Sequence, residues 1–306
     1  MRYSLSIHVR GIFLGAFLGE ILACGNEKSS QRLCDLGKMS VLGSQSLIAL
    51  GRLDVDDWLN RQQQASLDFT PIKDFWGHII LATLPIVVFY HEDNQKLREN
   101  LLQILVAGKA DPMLRDATLA VGFAIAQSLT ERLDRFTLIP QTISFLGQTS
   151  TSLPERLSKV HTLLTDKSLL GKKPNSPTLA LELADEITQI FYYFLNTLED
   201  FQLTVLQAIS SPARGAITGA LSGAYNSIIG IPVNWQILSS ATNSSLAAER
   251  SSLSQMLELC DILLAVWSGV YNPYLNKNVL TDEKCPVLWD WDAGVIFAAP
   301  RVIRPR

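Results

Sequence analysis

Two stretches near opposite ends of this chain carry glycine and alanine at four-residue intervals, and that spacing limits what the chain can fold into. Gly11, Gly15 and Gly19 recur in GIFLGAFLGEILACGNE, and Ala216, Gly219, Ala220, Gly223 and Ala224 in ARGAITGALSGAYNSIIGIPVNW. Residues at i, i+3 and i+4 share one face of a helix, so each stretch presents a groove almost bare of side chains. Glycine inside a helix costs about 1 kcal/mol relative to alanine, so its repetition needs a compensating contact. Close packing of one helix backbone on another supplies it.

A chain of 306 residues with 47% apolar and 18% charged residues has the make-up of a folded globular protein and can bury a large core. Its net charge of -3 gives no electrostatic footprint for nucleic acid. Cys24, Cys34, Cys260 and Cys285 stand at no metal-ligand spacing and read as reduced thiols. The opening MRYSLSIHVR and the apolar GIFLGAFLGEILAC have the outline of an export signal ending at Cys24. Glu20 argues against it, because a carboxylate is costly in lipid. The run from Ile79 to Tyr90 is too short to span a bilayer. A cytoplasmic protein with no membrane span is the expectation.

Almost every periodic segment reads as helix. Apolar stripes predict helices from Ser40 to Leu53, from Val55 to Gln64, from Asn94 to Val106 and from Pro112 to Arg135. Thr70 and Pro71 look like the cap and first turn of a helix running towards Tyr90. AGKADP reads as a loop, and Pro140 and Pro154 bound two short helical stretches. Leu179 to Ser210 is helical with a break near Glu199, after the linker-like KKPNSP. Ser244 to Tyr271 is a further helix, opened by the capping-box-like SSLAAE. No segment alternates with period two, so no sheet is expected. The expected fold is all-α, a compact multi-helix orthogonal bundle over 1–275 followed by an extended tail over 276–306 that contains Trp289 and Trp291.

The order of these pieces resembles the ADP-ribosylglycohydrolase family, which includes the dinitrogenase-reductase-activating glycohydrolases. That family opens with GxxxGxxxGDxxGxxxE. Gly11, Gly15, Gly19 and Glu27 match it, while Glu20 replaces the aspartate and Ala23 the next glycine. Near its other end the family runs GDxDTxxxxxxGAxxGAxxGxxxIPxxW, matched by Gly219, Ala220, Gly223, Ala224, Ile231, Pro232 and Trp235. Between them WGHIILATLPIVVFYHED stands at the family's GNG…R…P segment with Pro85 in register, and the resemblance covers residues 8 to 240. It implies the family's all-helical fold and a cleft for ADP-ribosyl groups.

In the family, a Thr-Asp-Asp-Thr motif and the Asp-x-Asp-Thr motif hold two magnesium ions. The resemblance puts Val41, Leu42, Gly43 and Ser44 on the first, and Ser210, Pro212 and Ala213 on the second. None of these is a carboxylate, and magnesium is a hard cation that requires charged oxygen. Trp76, Gly77 and His78 stand in place of GNG, and Ala82 in place of its arginine. The metal ions are therefore expected to be absent, leaving no cofactor. Asp54, Asp56 and Asp57 in RLDVDDWLN fall out of register with the motif and read instead as the cap and first turn of a helix. His8, His78, His91 and His161 have no paired spacing, and surface or capping roles fit them better than metal binding.

What remains of the cleft is Glu20 and Glu27 as the candidate catalytic acids, with Ser44, Gln45, Ser210, Ser211 and Arg214 as candidate ligand contacts. A lone carboxylate without metal has nothing to orient a ribose or stabilise developing charge. The leading expectation is a catalytically inactive relative of these hydrolases that binds a protein partner, or ADP-ribose or a related nucleotide, with Arg214 pairing to a pyrophosphate. The alternatives are a diverged ADP-ribosyl or glycosidic-bond hydrolase that works through Glu20 or Glu27, and a scaffold that docks through its tail.

Overall fold

The computed structural model describes residues 4–24, 30–65, 76–165, 185–240 and 247–270. Within these residues every regular element is helical. The chain runs α1 (Leu5–Cys24), α2 (Ser30–Leu50), α3 (Val55–Gln64), α4 (Trp76–Ala82), α5 (Leu84–Tyr90), α6 (Asn94–Ala107) and α7 (Pro112–Leu129). It continues with α8 (Leu138–Leu146), α9 (Leu153–Thr165), α10 (Glu186–Asn196), α11 (Phe201–Ala208) and α12 (Pro212–Asn226). A 3-10 turn (Ile228–Gly230), α13 (Val233–Ser240) and α14 (Ala247–Ser268) follow.

Short polar side chains start these helices where the sequence changes from loop to apolar stripe. Asp54, Asp93, Asp111, Asp185 and Asp200 each take an extended conformation or its β-region neighbour, and each side chain accepts a first-turn backbone N–H. AGKADP is a loop, with Lys109 at positive φ and Asp111 and Pro112 as cap and first residue of α7. The break near Glu199 falls between α10 and α11, where Asp200 restarts the helix.

Helices α5 and α7 lie at the centre. Every residue of α5 is buried, and α7 is buried around nearly its whole circumference, as befits a helix packed on all sides. α7 is flanked by α5, α6, α8 and α12, while α2 lies against α3, α4, α5 and α14. The most extensive contact is between α1 and α12. Over Leu5–Ala23, α1 has a mean hydropathy of 1.5 and is long enough to cross a membrane, yet it is mostly covered by the rest of the fold. An apolar core helix has the same composition.

Several helix limits differ from the sequence expectation, each for a physical reason. α2 begins at Ser30 and not at Ser40. It stops at Leu50, where Gly51 takes φ 64° and its N–H returns to Leu47, so the helix does not reach Leu53. The run towards Tyr90 is two helices, because Pro85 has no N–H to continue the ladder and Thr83 closes α4 by bonding back to Ile79 and Ile80. α7 ends at Leu129, six residues short of Arg135. There the chain turns through Glu131 at positive φ, and Asp134 caps the N–H groups of Phe136 and Thr137. KKPNSP, SSLAAE up to Leu246, Thr70, Pro71 and the segment 276–306 lie outside the described residues.

Candidate functional site

The two small-residue helices pack antiparallel, and their glycines meet in register. Gly11 opposes Gly223, Gly15 opposes Gly219 and Gly19 opposes Gly215, each so closely that a Cβ would collide with the facing carbonyl. The expected close approach of two backbones is thus realised, with each bare groove filled by the other helix. This register fixes one end of the bundle. It brings the last turns of α1, which carry Glu20, to the first turn of α12, which carries Arg214. α4 packs on one side of the same turn, since a methyl on Gly77 would lie 2.5 Å from Ala213 Cβ.

The first turn of α12 is built from Ser211, Pro212 and Arg214. Ser211 stands at the N-cap in extended conformation but its side chain makes no capping bond, and Pro212 takes the first helical position. Ser210 is exposed and Ser211 half-buried. Arg214 is half-buried and donates from Nε to the Ala208 carbonyl at 3.3 Å. Among the described residues its guanidinium enters no ion pair. Its charge acts on Tyr193 of α10, whose phenol is pushed to a higher pKa by burial, with Arg214 partly offsetting the effect. Sequence reading did not single out Tyr193. The aromatic run FYYF is visible, but only the fold shows which phenol lies within reach of the Arg214 charge. Glu20 is buried, at 7% exposure, and Glu27 lies outside the described residues.

The positions resembling the family's first acidic motif sit elsewhere. Val41 to Ser44 lie within α2 and not at its start. A methyl on Gly43 would come 2.6 Å from the indole nitrogen of Trp58. Ser44 is fully buried with its hydroxyl on Met256 Sδ of α14 at 3.5 Å, and Gln45 is half-buried. The interior here is thus closed by an indole and a thioether.

Asp54, Asp56 and Asp57 take up the helix-start roles expected of them. Asp54 caps α3 by accepting from the Asp57 N–H. Asp57 accepts from Ser46 Oγ at 2.6 Å and Arg61 Nε at 2.7 Å. Burial works against that carboxylate, but the hydrogen bonds from Arg61 and Ser46 outweigh it and hold the pKa below the ordinary value. The histidines bear out the capping half of their expectation at His91, the C-cap residue of α5, and correct the surface half. His8, His78 and His91 are buried and only His161 is partly exposed, so the surface role fails for the first three. His8 Nδ1 meets the Ala224 carbonyl at 2.8 Å, and His91 follows the last turn of α5 with Nδ1 on the Val88 carbonyl. Among the described residues no three His, Cys, Asp or Glu side chains come together in a metal-holding group.

Comparison with known proteins agrees with this architecture. A solved structure described as an ADP-ribosylglycohydrolase-related protein complex aligns with a TM-score of 0.54 at 14% identity, covering 84% of this chain and 98% of that one. At that identity the likeness establishes the fold. No curated protein matches the chain. The sequence profile of the ADP-ribosylglycohydrolase family matches residues 42–271, from the middle of α2 to just beyond α14. α1 precedes the matched span and is tied to it by the glycine contacts with α12. The chain belongs to the ADP-ribosylglycohydrolase family.

Proposed function

We propose that this protein is a non-hydrolytic member of the family that binds an ADP-ribose-like nucleotide at the first turn of α12, without magnesium. The observation that carries the reading is the closure of the first motif's position by Trp58 and Met256, with Gly43 and Ser44 packed directly against them. Two magnesium ions need several carboxylates to offset their mutual repulsion and dehydration. Val41, Leu42, Gly43, Ser44, Ser210, Pro212 and Ala213 supply none. These residues do not fit a binuclear magnesium centre, and no hydrolytic step is derived through one.

The first turn of α12 keeps what an anion needs. Its N-cap side chain is unspent, its backbone N–H groups carry the positive end of the helix dipole, and Arg214 is half-buried beside it. A guanidinium can pair directly with a pyrophosphate, taking over charge compensation that a metal would otherwise provide. Calorimetry with ADP-ribose in metal-free buffer tests this. Binding to the wild type, weakened at least about tenfold in Arg214→Ala, is the expected result for loss of a charge-assisted contact. Equal affinity of the two proteins, or no binding to either, would overturn the reading.

A further inference from the structure

A cavity of about 450 Å³ opens at the far end of α12 from Arg214, and its volume suits a small organic molecule. Its walls come from the loop between α7 and α8, the loop between α10 and α11, Leu203 of α11 and Tyr225 in the last turn of α12. Both signs of charge line it: Arg135, and the carboxylates of Asp134, Glu199 and Asp200. Among the described residues none of these four charges enters an ion pair, although they share one small cavity. Local bonds hold them apart. Asp134 Oδ1 accepts from the N–H groups of Phe136 and Thr137, each at 3.0 Å, and Asp200 Oδ1 from that of Leu203 at 2.9 Å. The Arg135 guanidinium lies 5.8 Å from the centre of the Phe136 ring and reaches Asn196 Oδ1 from Nη2 at 3.5 Å, a long contact. Its Nε is buried with no partner, which folded proteins seldom leave so.

We propose that this cavity binds a free amino acid with an apolar side chain. A small zwitterion is the ligand class that uses both kinds of unpaired charge at once. Its carboxylate would pair with Arg135, whose planar fork of donors matches that group. Its ammonium would pair with Glu199 and with Asp200, where capping occupies a single oxygen. Leu198, Leu203 and Tyr225 supply the apolar part of the wall for the side chain. Ligands with one charge fit less well: a plain carboxylate would meet three like charges, and a plain amine would meet Arg135 and leave it unpaired. The cavity is separate from the first turn of α12, so the proposal stands or falls independently of nucleotide binding there.

Thermal unfolding of the full chain with each apolar L-amino acid in turn tests the proposal, followed by calorimetry on those that raise the midpoint. Millimolar concentrations are needed, because pairs with exposed carboxylates are weak. At least one amino acid should bind, and at least about tenfold more weakly to Arg135→Gln and to Glu199→Gln. The amine lacking its carboxylate and the acid lacking its amino group should each lose at least about tenfold as well. An unchanged far-ultraviolet dichroism spectrum confirms that the variants fold, and Asp134 and Asp200 are left intact because they cap helices. No binding of any apolar amino acid would overturn the proposal. So would equal affinity of either variant, or binding of the amine or the acid alone as tight as that of the zwitterion.

Discussion

Gly15 and Gly219 lie against each other across the α1–α12 contact, and a methyl group on either would collide with the other's carbonyl. The helices touch here through their backbones, so neither residue can be replaced without moving an entire helix. This differs from Gly122, where a Cβ would meet only the ends of Leu101 and Val87 at 2.9 and 3.2 Å.

Replacing glycine by alanine inside a helix ordinarily stabilises it by about 1 kcal/mol. At Gly219 the sign should reverse. Overpacking a close contact costs about 1–3 kcal/mol or more, so Gly219→Ala should be net destabilised. Urea denaturation of the two proteins measures this directly. A variant as stable as the wild type would show that α1 and α12 are not held this close.

Placing a carboxylate where the family has one should harm this chain. Gly43→Asp would drive its side chain into the Trp58 indole and leave a charge in a sealed interior, at a cost of about 3 kcal/mol or more. Millimolar magnesium should not recover the loss, because among the described residues no cluster of carboxylates is placed to share the metal. Thermal unfolding with and without magnesium distinguishes the cases. Recovery by the metal would mean that the interior holds a binding centre after all.

His91 should make the fold sensitive to mild acid. Its ring is 3% exposed and lies 4.9 Å from that of Trp267, and burial pulls its pKa below the ordinary 6.5, with the Val88 carbonyl only partly opposing. The unfolded chain then takes up a proton at a higher pH than the folded one. The contribution is complete above about pH 6.5 and is lost as pH falls through the lowered folded value. Asp57 and Asp93 have lowered pKa values, so their contributions stay in place until the pH falls below the ordinary carboxylate value of 3.8. Unfolding free energy should therefore drop between pH 7 and 5, and by less in His91→Gln. Parallel profiles for the two proteins would remove His91 as the cause.

Features set by local chemistry were legible in the sequence. The glycine spacing announced a backbone contact, Asp54 announced a helix start, AGKADP announced the loop before α7, and the uncapped Ser211–Pro212 turn fell where the resemblance placed the second motif. Features set by the partner helix were not. Nothing in SVLGSQSL tells that Trp58 covers Gly43 or that Met256 reaches Ser44, because both contacts join residues distant in the chain. The burial of His8 is of the same kind, since its acceptor at Ala224 lies on the far helix. Gly51 was visible as a glycine, but its positive φ, which ends α2, depends on how the chain turns into α3.

The central claim is a family fold that works without its metals, and magnesium titration by calorimetry on the purified protein, with and without ADP-ribose, tests it most directly. The account predicts no heat of magnesium binding, and ADP-ribose binding of equal strength whether or not magnesium is present. Tight magnesium binding, or release of ADP-ribose from a substrate that depends on the metal, would contradict it.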